Sequence, residues 1–403
     1  MGFNRAKKRL GTVLTVAVAI PAFISVCFAD TFTHQQTGQV LHGYATSRTI
    51  DNQTVVRTRE KGLVKLNLAE WQITADREGR NNKVIVFTLD GDIAFQMETE
   101  AFEQAMVKAA DEGPLFILLE IDTPGGRKDL AERICAAITQ TRNCQVIAFV
   151  KGGEYGGAIS AGAAVALACD KIYMANNTAI GAATIITISE KGPRDLKRTF
   201  GDRVGEKFSS AWRAKLASLA EQNNRPGLLA RAMVDQDIEV IEVSAAGEKL
   251  FVEPINKKPQ QNLVHTWSRK GSLLTLTAAE AVQCRMADKV VDSRAELLGD
   301  LDAADAKVVM NTDIQEARME LDRARGQLNR IRKSIDFKIK QSEHPQPARK
   351  VLSILRSASS EFKTLIKLAK KYPDLHLDIQ ALESELNSIE ATYESLKRQT
   401  RRR

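Results

Sequence analysis

Leu115-Phe-Ile-Leu-Leu-Glu-Ile-Asp-Thr-Pro-Gly-Gly126 is the stretch on which the fold turns. Its first seven residues hold six apolar ones without alternation, the pattern of a short strand covered on both faces. A proline and a glycine pair then stop the strand, and helical spacing resumes at Lys128–Thr139. Outward from it the same grammar repeats. Val84–Leu89 and Gln145–Val150 are further short apolar runs, and Glu98–Ala110 has helical spacing between the first two strands. This rhythm predicts right-handed βαβ crossovers around a parallel sheet, hence an α/β class. Further on, the pattern predicts helices over about 202–222 and Pro226–Val234, then strands at Ile238–Val243 and Lys249–Val252. Thr277-Ala-Ala-Glu280 reads as a capping box opening a short helix. Ahead of this unit, residues 30–80 alternate polar and apolar between turn formers, which predicts a small β-rich lead-in.

Three glycine-bearing turns are candidates for chemistry. Ile121-Asp-Thr-Pro-Gly-Gly126 closes a buried strand before a helix, where glycines let backbone N–H groups face an anion; a plain tight turn fits the same residues. Gly152-Gly-Glu-Tyr-Gly-Gly-Ala-Ile-Ser-Ala-Gly162 follows the next buried strand and sets Ser160 among small residues. A helix can start there with its hydroxyl exposed and its neighbours' amides free, which suits a nucleophile with a backbone oxyanion site. A close-packed helix of small residues through Ala168 is the alternative. Asp170-Lys-Ile-Tyr-Met-Ala-Asn-Asn-Thr-Ala-Ile-Gly-Ala-Ala183 supplies a strand and a glycine-rich bend.

In order and spacing the three turns resemble the Clp-protease-like serine peptidases, specifically the NfeD class of membrane-associated serine proteases. Glu206-Lys-Phe208 through Ser218-Leu-Ala-Glu221, and Leu274-Thr-Leu-Thr-Ala-Ala-Glu-Ala281 with Ala287-Asp288, extend the resemblance over roughly residues 81–297. It implies the Clp/crotonase fold, a spiral of βαβ units with the active site at strand ends. It implies Ser160 as nucleophile, with the amides of Gly126 and Ala161 as the oxyanion hole. An extended polypeptide substrate would lie as an added strand near Gly125, Arg127 and Lys128.

The base departs from the familiar pattern. Histidines stand only at 34, 42, 265, 344 and 376, so a triad would need His265 brought in from a distance. The NfeD class is instead a Ser-Lys dyad, in which a desolvated lysine takes the serine proton. Its lysine falls where this chain has Ala217. Lys215, about 200° round the helix, and Lys207, about 15 Å back along it, are the remaining candidates; Arg213 shares the face but does not deprotonate.

The 403 residues are 43% hydrophobic and 27% charged, which fits globular domains and excludes a disordered or collagenous chain. The formal charge of +8 falls in residues 1–29 and 301–403, so the centre has no nucleic-acid footprint. Arg5, Lys7, Lys8 and Arg9 precede an apolar run from Leu10 to Phe28 and a small-residue exit at Ala29, the form of a secretory signal. Export to the periplasm or another extracytoplasmic space is expected, with an uncleaved anchor through residues 10–28 as the variant reading. Cys135, Cys144, Cys169 and Cys284 fit no metal spacing and read as buried hydrophobes. No Walker, Rossmann or zinc motif is present, so no cofactor and no metal are expected.

After about 301 the pattern is helical throughout. Ile314, Ala317, Leu321, Ala324, Leu328, Ile331 and Ile335 step 3-4-3-4-3-4, a coiled-coil seam. Pro345, Pro347 and Pro373 divide three helices, the second over about 348–371, and Leu375, Ile379, Leu382, Leu386, Ile389, Tyr393 and Leu396 form a further seam. Known NfeD-class chains often have membrane spans and a small β-barrel at this place. The expected organisation is a signal peptide (1–29), a β-rich lead-in (30–80), a Clp/NfeD-like serine protease domain (81–300) and an all-α coiled-coil-like region (301–403). The expected function is an exported serine endopeptidase. A catalytically inactive scaffold that binds extended peptides is the alternative. Expected partners are a polypeptide substrate, further copies in a homo-oligomer and a membrane protein, with no nucleic acid.

Overall fold

The computed structural model describes residues 29–75, 79–189, 192–195, 199–245 and 247–402. Residues 1–28 of the expected export signal lie outside that set. The first sheet is antiparallel, built from β1 (Ala29–His34), β2 (Val40–Ile50), β3 (Gln53–Thr58), β4 (Gly62–Leu66) and β5 (Trp71–Ala75) in the order β4-β3-β2-β1-β5. Alternation places Phe32, Leu41, Val56 and Trp71 in its own small core. The Asn143 side chain donates to the Ala45 carbonyl at 3.2 Å and joins this sheet to the domain behind it.

That domain is mixed α/β. Chain order runs β6 (Asn81–Asp90), α1 (Gln96–Asp111), β7 (Pro114–Asp122), α2 (Lys128–Gln140), β8 (Val146–Val150), β9 (Gly157–Ile159), α3 (Ala161–Ala168), β10 (Lys171–Met174) and β11 (Ala179–Gly181). It continues through β12 (Ile186–Ser189), β13 (Gly192–Asp195), α4 (Asp202–Gln222), α5 (Gly227–Ala232), β14 (Val240–Ala245), β15 (Glu248–Val252), β16 (Asn262–Ser268) and β17 (Thr275–Thr277). Last come α6 (Ala278–Gln283), β18 (Lys289–Val290), α7 (Arg294–Asp300) and β19 (Lys307–Met310). The central sheet is parallel throughout, in the order β18-β10-β8-β7-β6-β19. Its strands are nearly continuous in hydrophobicity because both faces are covered. Ile85, Phe87 and Leu89 meet α1 and α2 on one side; Val84 and Val86 meet Leu297 and Leu298 of α7 on the other.

The helical pattern expected from residue 301 starts later. Lys307–Met310 adds a strand beside β6; at four residues, three of them exposed, it carries too little periodicity to be read. Then come α8 (Asp313–Glu343), α9 (Ala348–Lys371) and α10 (Ile379–Arg402), broken at the prolines. Ile314, Leu321, Ala324, Leu328 and Ile335 of the first seam are buried. In the last seam only Leu382 is fully buried, because α10 packs on α9 whereas α9 has α8 on its other side. Among the described residues no helix is long and apolar enough to cross a membrane.

Candidate active site

β7 and β8 end side by side, and the two loops that leave them form the site. The buried Asp122 organises both. Its carboxylate accepts the Gly157 N–H at 3.1 Å and the Tyr155 N–H at 3.2 Å, tying the loop after β8 to the end of β7. Thr123 follows: its N–H donates to the Gly157 carbonyl at 2.8 Å, and its carbonyl accepts the Ile159 N–H at 3.1 Å. Its hydroxyl donates to the Gly91 carbonyl at 2.6 Å and accepts the Gly125 N–H at 3.0 Å. Neither residue was given a role from sequence. The available signal was an acid and a hydroxyl at the end of a buried strand, directly before the glycine pair.

Ser160 sits at the first turn of α3 with φ 55° and ψ −119°. A non-glycine residue there costs on the order of 1–3 kcal/mol and persists only where its surroundings impose it. Here the Ser160 N–H donates to the Gly181 carbonyl at 2.8 Å and its carbonyl accepts the Ala163 N–H at 3.0 Å. The hydroxyl makes no capping bond to α3, so it is not spent on the helix as an ordinary N-cap serine would be. All eight residues of α3 are buried and apolar, and a Cβ at Gly162 would lie 2.4 Å from Thr123 Cγ2 of the neighbouring loop.

Gly125 is that neighbour. It has φ +107°, and a Cβ there would lie 2.5 Å from Ser160 Cβ and 2.9 Å from Oγ. Gly126, at φ +148°, is pinned on one edge: the Ile93 N–H donates to Gly125 O at 2.8 Å and the Arg127 N–H to Ile93 O at 2.7 Å. In that parallel bridge the Gly126 N–H faces away from Ile93. Gly126 is exposed and its amide has no hydrogen-bond acceptor among the described residues. The Ala161 N–H is among the first four that a helix leaves without an internal partner. The structure therefore brings Gly125 against Ser160 and the start of α3 at Ala161, with Gly126 next along the chain. At the start of α2, the exposed Arg127 pairs with Asp129 at 2.6 Å. Lys128 pairs with Glu132 and stands 5.2 Å over the Trp212 ring.

The α4 side is arranged differently. Trp212, Leu216, Ala217, Leu219 and Ala220 form its buried face, and Trp212 Nε1 donates to the Ala183 carbonyl at 2.9 Å. Ala217, the expected lysine position, is buried at 2% exposure. Lys215 is half-buried, its charge beside Cys135 of α2, where it opposes the burial that pushes that thiol up to about 12. Lys207 is exposed. Arg213 is held by Asp235 and by Glu206. Neither lysine is hydrogen-bonded to Ser160 among the described residues. His265 is exposed on β16 against Trp267, with ring centroids 4.4 Å apart, in the separate sheet β15-β14-β16. Cys135, Cys144, Cys169 and Cys284 are free and buried, and desolvation raises all four thiols.

Comparison with known proteins bears on this arrangement. Residues 83–263 match the family model "NfeD1b, N-terminal domain". The NfeD-class resemblance carried by the three turns is borne out over that span. Membrane protein NfeD1b of Bacillus subtilis (strain 168) is 28% identical over 248 residues, 61% of this chain and 47% of that protein. Membrane-bound protease PH1510 of Pyrococcus horikoshii is 28% identical over 160 residues, 40% of this chain and 34% of its own length. The chain thus spans about half the length, or less, of these curated relatives. Two solved structures are similar, both of "1510-N membrane-bound stomatin-specific protease". A serine-to-alanine mutant is 23% identical, with a TM-score of 0.42, covering 57% of this chain and 98% of that one. A lysine-to-alanine mutant "in complex with a substrate peptide" is 24% identical, with a TM-score of 0.40, covering 55% and 80%.

Proposed function

We propose that this chain is a serine endopeptidase of the NfeD class, with the spiral βαβ arrangement of the Clp/crotonase superfamily around Ser160. The observation that carries the reading is the strained Ser160 backbone, which presses a hydroxyl that does not cap α3 against Gly125. Ser160 Oγ attacks the peptide carbonyl carbon while its proton passes to a neutral lysine amine. The Gly126 and Ala161 N–H groups hold the oxyanion. Collapse of the tetrahedral adduct breaks the C–N bond, the lysine returns its proton to the leaving amine, and water then releases the acyl group by the same route. Lys215 is the favoured base because it is half-buried, its charge beside Cys135 of α2, whereas Lys207 is exposed. The substrate strand adds along Gly125, Arg127 and Lys128 at the edge opposite Ile93. Kinship with membrane proteins supports membrane association, reached by export through residues 1–29 or by their retention as an anchor. A homo-oligomer and a membrane-protein partner belong to the same proposal, with the C-terminal helices pairing as a coiled coil.

Ala217 at the expected lysine position favours a second reading, a catalytically inactive scaffold that binds extended peptides. Hydrolysis of an unstructured polypeptide such as casein separates the two. The peptidase reading requires cleavage by the wild type and its loss in Ser160→Ala; the scaffold reading requires binding without cleavage in both.

A further inference from the structure

The turn between α9 and α10 reaches back across the molecule to the start of α1. Asp374, 3% exposed, accepts the Gln96 N–H on Oδ1 at 2.8 Å and the Met97 N–H on Oδ2 at 2.9 Å. These are the first two amides of α1, donors that a helix cannot satisfy internally. Phe95, the residue before them, has no side chain able to cap, so the cap is supplied from the far end of the chain. A carboxylate suits that place, since amides and helix dipole both favour negative charge.

Only Ala94 and Phe95 separate this cap from Ile93, whose N–H and carbonyl fix Gly125 and Arg127 on either side of Gly126. The same short segment is held elsewhere by the helical region. Arg325 lies 4.5 Å over the Phe95 ring. Arg318 donates to both Glu98 oxygens at 3.0 Å, to the Asp90 carboxylate at 3.1 Å and to the Asp90 carbonyl at 2.8 Å. Residues 90–98 are therefore clamped between the helical region and the glycine pair.

We infer that Asp374 is a positioning residue for the oxyanion amide: by capping α1 it fixes Ile93, and through Ile93 the orientation of Gly126 N–H. The inference rests on the reading of Ser160 as nucleophile and extends it to the C-terminal helices, which become part of the site's support. A shift of a few tenths of an ångström in residues 93–97 passes to Gly126 through two hydrogen bonds, and small misplacements at a reacting centre cost rate more than binding.

The test uses the full chain as wild type, Asp374→Ala and Asp374→Asn. Two quantities are measured: saturation kinetics of fluorophosphonate labelling, and amide hydrogen exchange of residues 93–97 and 125–127 with β7 as the folding control. Asp374→Ala should lower the maximal labelling rate by up to about a hundredfold, change probe affinity little, and speed exchange at Arg127. Asp374→Asn, which keeps one acceptor oxygen, should recover part of both. Wild-type labelling and unchanged exchange at 125–127 in Asp374→Ala overturn the inference. So does a loss confined to probe affinity. If Asp374→Ala also loses protection in β7, the asparagine variant decides by the same two readouts. If the wild type does not label at all, the peptidase reading fails while the exchange data still decide whether Asp374 holds Gly126.

Discussion

The two sides of the candidate site are built on opposite principles. The side facing Ser160 is backbone: Thr123, Gly125 and Arg127 are fixed by main-chain hydrogen bonds, and Gly125 meets Ser160 in a contact only glycine permits. The α4 side is side chains on one helix, an apolar face at Trp212, Leu216 and Ala217 flanked by lysines of differing exposure. A backbone site is specified by turns and small residues whose spacing is visible in a single sequence. A side-chain site depends on which residue a helix rotates inward, and here the inward position holds alanine.

The contrast breaks most sharply at Gly125. Gly125→Ala should reduce fluorophosphonate labelling by about a hundredfold or more, the scale of losing an oxyanion donor, since the new methyl displaces Ser160 Cβ. Circular dichroism should report an unchanged fold, and labelling near the wild-type rate would refute the packing of the two residues. Asp122→Ala removes the acceptor of the Tyr155 and Gly157 amides. It should cost on the order of 1–3 kcal/mol in denaturant unfolding as the buried Gly157 donor loses its partner, and lower labelling with it. An unchanged midpoint would show that the loop is held by other contacts.

The α4 side predicts graded effects. Lys215→Ala should slow peptide hydrolysis by about 10²-fold, the usual worth of a general base, and Lys207→Ala by little. Equal losses would place the base elsewhere. Because a lysine acts as base only when neutral and a free lysine titrates near roughly 10.4, the rate should rise towards alkaline pH. A single step near roughly 6.5, abolished by His265→Ala, would assign the proton transfer to histidine instead.

The parallel sheet was legible because strands covered on both faces read as unbroken apolar runs, as Leu115–Ile121 does inside β7. Helix ends at the C-terminal prolines were equally plain, with α9 at Ala348–Lys371. The three-residue strands β9 and β11 were not, since they lie in glycine-rich turns and exist through pairing with each other. β16 was missed because four of its seven residues are exposed. In the site, Ser160 and Gly126 followed from turn chemistry. The capping of α1 by Asp374 spans 278 positions, and nothing local to either residue announces it.

The central claim is that the strained Ser160 is a nucleophile held over two backbone donors. It is tested most directly by treating the full chain with a fluorophosphonate probe and locating the adduct by mass spectrometry, wild type against Ser160→Ala. The account predicts one phosphonylated residue, Ser160, in the wild type and no adduct in the alanine variant, with both proteins folded. An unlabelled wild type, or an alanine variant labelled to the same extent, would contradict it.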